Sequence, residues 1–146
     1  MHKRLVDRDQ LALSVGGGSG VAFDPTLFEI SAQPKAGVDP AAVEKAIYEE
    51  LDNVKTDAVT NEELEKAKNI LLSDFYRTIK TISGRSNAIG TYEVFFGDYR
   101  KLFTAADYFA KVTTADVQRV AKEYFTADNR TVATLVPEAA PAAEKK

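Results

Sequence analysis

The chain has 146 residues, of which 45% are hydrophobic, and a formal net charge of -3. That length suits one domain able to bury a real core, and that composition excludes a disordered or fibrous chain. The small acidic balance leaves no basic footprint for nucleic acid.

The sequence contains no cysteine. A disulfide scaffold, a thiolate zinc site and a cysteine nucleophile are therefore excluded. No apolar run reaches membrane-spanning length. Met1-His2-Lys3-Arg4 leads into a mixed segment rather than the apolar stretch of a signal peptide.

Residues Lys3 to Asp9 are charged and amphipathic and read as the last turns of a helix. Leu11, Leu13 and Val15 then alternate with smaller or polar residues, which is strand periodicity. The run Gly16-Gly17-Gly18-Ser19-Gly20 extends it, and Asp24-Pro25 marks a turn. Phe28, Ile30 and Ala32 alternate again up to Pro34. Leu11 to Pro34 thus reads as an antiparallel hairpin with a long loop.

Residues 39–125 read mostly as helix. Asp39-Pro40 is an N-cap followed by proline at the first helical position. Val43, Ala46, Ile47, Leu51 and Val54 fall on one face behind it. Thr60-Asn61-Glu62-Glu63 has the pattern of a capping box, with Leu64, Ala67, Leu71, Phe75 and Ile79 as the stripe. Ser83 is the expected start of a third helix that carries Ile89, Tyr92, Phe95 and Phe96 and stops near Gly97. Asp98 caps a fourth, with Leu102, Ala105, Ala106 and Phe109 inside. Thr113 to Asp116 caps a fifth, with Val117, Val120, Ala121, Tyr124 and Phe125. Asn129 to Val136 reads as a final strand. Residues 138–146 are Ala, Pro, Glu and Lys, the composition of a disordered tail or linker. Helices gathered between strands predict an α+β fold, with helices on one face of a small, mostly antiparallel sheet.

Candidate chemistry is sparse. His2 is the sole histidine, whereas a zinc site normally needs several His or Cys ligands. It also fits a cloning remnant. The glycine run lacks the Gly-Lys-Ser/Thr and following helix of a phosphate cradle, so a bulged or flexible strand end is the better reading. Glu62, Glu63 and Glu65 sit at a helix start, where the macrodipole explains them more simply than acid–base chemistry. Ser83-Gly84-Arg85-Ser86 has no histidine to activate a serine, and nothing in the spacing supports a Ser-Lys pair. Tyr92, Phe95, Phe96, Tyr99, Phe103, Tyr108 and Phe109 could line a groove or an interface. Their helical spacing favours core. No catalytic, cofactor-binding or metal-ligating residue is expected.

Several segments, in order, resemble the insulinase/pitrilysin/processing-peptidase family of zinc peptidases. They are Lys3 to Val15; Asp24-Pro25-Thr26-Leu27-Phe28-Glu29-Ile30; Thr60 to Asn69, similar to the family's Thr-x-Glu-Glu-Leu-x-x-Ala-Lys-Asn helix; Val112 to Val117 with Tyr124-Phe125; and Asn129 to Val132. The resemblance spans roughly residues 3 to 137. It implies a half-enzyme of two similar α+β domains, two halves closing like a clamshell around a peptide. Zinc and its His-x-x-Glu-His motif would lie in the other domain.

On this resemblance, residues 1–137 are the non-catalytic second domain with its first strands and helix cut away. The family's other half carries an Arg and a Tyr that help bind substrate and stabilise the transition state. The matching positions here are Val6 and Leu13, which cannot donate to an oxyanion. The implied partners are the catalytic domain, the second half of the peptidase and the parent's peptide substrate. Two other readings stay open: a scaffold subunit of the same family without activity, and an unrelated helical interaction domain. Many bacterial relatives suggest the periplasm or cell envelope, with cytoplasm as the alternative. Loss of sheet strands also implies self-association through an exposed edge.

Overall fold

The computed structural model describes residues 1–136. A π-helical turn, Lys3–Arg8, leads into strand β1 (Ala12–Ser19), which pairs antiparallel with β2 (Phe28–Pro34). Five helices come after the hairpin: α1 (Pro40–Thr56), α2 (Asn61–Ile79), α3 (Ile82–Phe96), α4 (Ala105–Lys111) and α5 (Thr114–Tyr124). A 3-10 turn, Tyr99–Thr104, joins α3 to α4. The architecture is helices packed with a two-stranded antiparallel sheet, as the element order predicts.

The start of each helix is written in its sequence. Asp39 accepts the Ala41 amide at 2.9 Å, and Pro40 sits where no intrahelical donor is needed. At α2, Thr60 accepts the amide of Glu63 while the Glu63 carboxylate accepts the Thr60 amide, a reciprocal box. Thr113 and Asp116 repeat the arrangement at α5. Gly97 ends α3 at φ 70°, in the left-handed region that glycine enters without steric cost.

The core sits where the π-helical turn, the hairpin and α1 meet. Leu5, Ala12, Val43 and Ala46 are buried together, with Leu11, Val15, Ala32, Val38 and Ile47 partly buried around them. Leu102 and Ala105 are buried in the α3–α4 region, and Ala121 on α5, which packs against α1.

Three local expectations are corrected. α3 is capped by Thr81, whose hydroxyl accepts the Gly84 amide at 3.0 Å, not by Ser83. The earlier cap wins because α3 follows α2 almost directly. On α2 the half-buried row is Leu64, Lys68, Leu72, Phe75 and Ile79, while Leu71 is half exposed. α2 meets both α3 and α4, and the row turns to serve both contacts. Residues 129–136 form no strand. Extended backbone becomes a strand only with a ladder partner for its amides and carbonyls, and β1 and β2 pair only with each other among the described residues. The segment 138–146, expected as a tail, lies outside the described residues.

Candidate functional site

His2 is well exposed, and its Nδ1 lies 3.6 Å from an Asp7 carboxylate oxygen. Among the described residues, no three His, Cys, Asp or Glu side chains gather in a way that could hold a metal ion. Zinc requires about three or four such ligands converging at about 2.0–2.3 Å. Among the described residues the donors do not converge as a zinc centre requires.

The carboxylates at the start of α2 serve the helix. Glu63 accepts both the Thr60 amide, at 3.0 Å, and the Thr60 hydroxyl, at 3.1 Å. These bonds hold its carboxyl below the usual carboxylate range, the backbone bond contributing most. Glu65 accepts the Lys68 ammonium at 2.9 Å. A shallow depression runs past Glu62, Glu65, Asn69, Ser73 and Arg77. Every residue lining it belongs to α2, so no second element closes it. It is an open helix face and not a cleft.

The glycine run is strand. Gly16, Gly17 and Gly18 all lie in β1 and pair with Ser31, Ile30 and Glu29. A Cβ on Gly17 would stand 3.0 Å from the Glu29 carbonyl oxygen, so glycine there permits close approach of β2. No helix comes directly after it, and nothing in the geometry offers a phosphate cradle. In the Ser83–Ser86 segment, the Ser86 hydroxyl donates to the Ile82 carbonyl at 3.0 Å within α3. That bond is local helix back-bonding and not nucleophile activation.

Val6 is half-buried in the π-helical turn and Leu13 is exposed on β1. Between them Gln10 adopts φ 51°, a left-handed conformation uncommon outside glycine. This kink turns the chain from the π-helical turn into β1. The Gln10 side chain carbonyl accepts the Lys35 ammonium at 3.2 Å, tying the kink to the end of the hairpin.

Arg4 is the most connected charge in this region. Its guanidinium donates to Asp9 at 3.2 Å, to Glu50 at 3.3 Å and to Glu49. The Glu49 bond above all raises its already high pKa, so the charge is permanent. The cluster pins the π-helical turn to α1. Sequence reasoning missed it because its partners lie 45 and 46 residues away, and no local spacing signals such a pair.

The aromatic set divides. Tyr92, Phe95 and Phe109 are half-buried. Phe96, Tyr99, Phe103 and Tyr108 are exposed, Phe103 to 73%. The expectation that all seven are core is thus corrected: α3, the 3-10 turn and α4 form a layer with too few neighbours to cover both faces. Phe23, from the loop of the hairpin, stacks on Phe95 with ring centroids 4.7 Å apart. The hairpin tip therefore reaches across to this layer.

Comparison with known proteins bears out the resemblance read from the sequence. Residues 1–71 match the family model described as the Peptidase M16 inactive domain. The zinc protease PqqE of Helicobacter pylori is 27% identical over 137 residues, covering 94% of this chain and 31% of that protein. The chain therefore spans about a third of the length of the curated relative it matches. Among solved structures, a protease from Helicobacter pylori superposes with a TM-score of 0.76 at 25% identity, over 85% of this chain and 30% of that one. The inactive peptidase domain of a candidate zinc protease from Bordetella parapertussis gives 0.72 at 28% identity, over 90% of this chain and 72% of that one. A candidate zinc protease from Bordetella pertussis gives 0.74 at 27% identity, over 88% and 70%.

Proposed function

We propose, from the premise that this chain is an inactive-domain relative of the M16 zinc peptidases, that it is the support domain of a zinc metalloendopeptidase. Its work is to pack beside a catalytic domain and wall part of a peptide-holding chamber. Hydrolysis by zinc-activated water belongs to the catalytic domain of the parent. The observation that carries this reading is the match of residues 1–71 to a domain described as inactive. The lack of a converging ligand set among the described residues supports it. So do the exposed aromatics of the α3–α4 layer, a surface suited to a neighbouring domain.

The test measures zinc and activity on two proteins. The 146-residue chain should bind no stoichiometric zinc and cleave no quenched fluorescent peptide. The longer parent should hold one zinc per catalytic domain and cleave peptides until it is chelated. Tight, chelator-sensitive, one-to-one zinc binding by the short chain would sink the reading.

A second reading, a scaffold subunit of the same family, predicts a parent without His-x-x-Glu-His and without zinc. We place the parent in the periplasm or cell envelope, which subcellular fractionation tests directly.

A further inference from the structure

We propose that the hairpin loop, residues 20–27, is a hinged strap that pivots at the glycine run and is latched onto α3 by the Phe23 ring. The strap lies wholly inside the chain, between β1 and β2. The hairpin that carries it is fixed on both strands. At its base Ala12 is buried in the core cluster, Val15 and Ala32 pack beside it, and the Lys35 amide donates to the Leu11 carbonyl at 3.0 Å. On the β2 side the Phe28 ring packs on Phe125, with centroids 5.2 Å apart.

The loop itself is held by little. The ladder ends at the Ser19–Phe28 pair, and among the described residues no backbone hydrogen bond beyond it ties 20–27 to the rest of the chain. Val21 is 53% and Leu27 73% exposed. Phe23 is the exception, since its ring meets that of Phe95 in α3 at 4.7 Å between centroids. Phe23 is still 76% exposed, so its ring rests on α3 and is not built into a core. An aromatic pair of this kind shifts a two-state balance about two- to tenfold. That is enough to bias the loop and too little to lock it.

The pivot lies between the fixed base and the latched tip. Gly17 answers a steric demand, because a Cβ there would crowd the Glu29 carbonyl. Gly18 and Gly20 answer none: neither has a positive φ, and an added Cβ at either meets no atom within 4 Å. What they supply is backbone freedom at the end of the ladder. A swing about them uncovers the Phe95 ring and leaves the core untouched.

The experiment is native-state cleavage of the full chain by thermolysin, which cuts before large apolar residues, read at the Thr26–Leu27 bond. Cleavage of this kind tracks the population of the open form. Phe23→Ala and Phe95→Ala should each speed that cut about two- to tenfold. The double variant should match either single one, because both remove the same latch. Gly18→Ala with Gly20→Ala should slow it about twofold or more. A nuclear Overhauser contact between the Phe23 and Phe95 rings should be present in the unsubstituted chain. Phe23→Ala changes a mostly exposed side chain, so it carries the test even if Phe95→Ala loses its helical circular dichroism. Unchanged cleavage in Phe23→Ala or in the glycine variant overturns the proposal, as do additive effects in a folded double variant. A rise at every site together overturns it too, since that is global unfolding and not a local swing. So does the lack of any contact between the two rings.

Discussion

The guanidinium carbon of Arg130 lies 3.8 Å from the centroid of the Tyr48 ring. A cation held over an aromatic face is attracted by the ring quadrupole. The contact ties the chain beyond α5 back to the middle of α1. Asn129 reinforces it by donating its side-chain amide to the Tyr124 carbonyl at 3.0 Å. Arg130→Ala should lower stability by about 0.5–1 kcal/mol, and Arg130→Lys by less. Urea unfolding of the two variants checks the order. Equal stability of Arg130→Ala and the unsubstituted chain would remove the contact from the account.

The two capping boxes should contribute separately. Thr60→Ala and Thr113→Ala should each cost about 1 kcal/mol. They cap different helices, so the double variant should cost close to the sum. A clear departure from additivity in thermal or urea unfolding would mean that α2 and α5 are coupled more closely than their packing implies.

The same boxes set an acid response. Hydrogen bonds from the Thr60 amide and hydroxyl hold Glu63 below its ordinary range, and those from the Thr113 hydroxyl and amide do the same for Asp116. A carboxyl with a depressed folded value binds protons less readily in the folded state. Its stabilisation is therefore complete above the ordinary carboxylate range and is lost as pH falls through the folded values. Stability plotted against pH should decline on the acid side, and Thr60→Ala should flatten part of that decline. An unchanged acid limb in Thr60→Ala would contradict the cap as its source.

Three glycines should respond to alanine in three ways. At Gly84 the new Cβ would stand 1.9 Å from the Thr78 carbonyl oxygen, where α3 turns tightly off α2, so the turn must open. At Gly97 it would be strained by φ 70° and should cost about 1 kcal/mol. At Gly90, inside α3, nothing lies within 4 Å, and alanine should stabilise by about 0.4–1 kcal/mol. The melting temperatures should rank Gly90→Ala, unsubstituted chain, Gly97→Ala, Gly84→Ala from highest to lowest.

Leu5 is fully buried in the cluster with Ala12, Val43 and Ala46. Leu5→Ala should cost about 2–5 kcal/mol, since both the transfer free energy and the cavity count against it. Denaturant midpoints measure it, with Leu13→Ala as the control. Leu13 is 55% exposed, so its truncation should cost far less.

Local chemistry was legible in the sequence. Asp39-Pro40, the two Thr-x-x-acid boxes and Gly97 each act through atoms within a few residues, and each stands where the sequence puts it. Periodicity was a weaker guide. It marked α2 but chose Leu71 where Leu72 turns inward, because the neighbours α3 and α4 decide which row is covered. It marked 129–136 as strand, although a strand also requires an edge to pair with. Arg4 with Glu49 and Glu50, and the φ of Gln10, had no local signature. Of the candidate site, the helix-start role of Glu62 and Glu63 was legible, because capping and the macrodipole act within one turn.

The four residues of the buried cluster, Leu5, Ala12, Val43 and Ala46, all fall within the first third of the chain. Leu5 reaches Val43 and Ala46 by a loop that closes with nothing beyond α1, so the loop-closure cost falls on the first third of the chain alone. The buried cluster can therefore be complete once α1 has left the ribosome, before α2 to α5 have emerged from it. The aromatic layer then docks onto a finished seed, and the stacking of Phe23 on Phe95 becomes a late step in assembly.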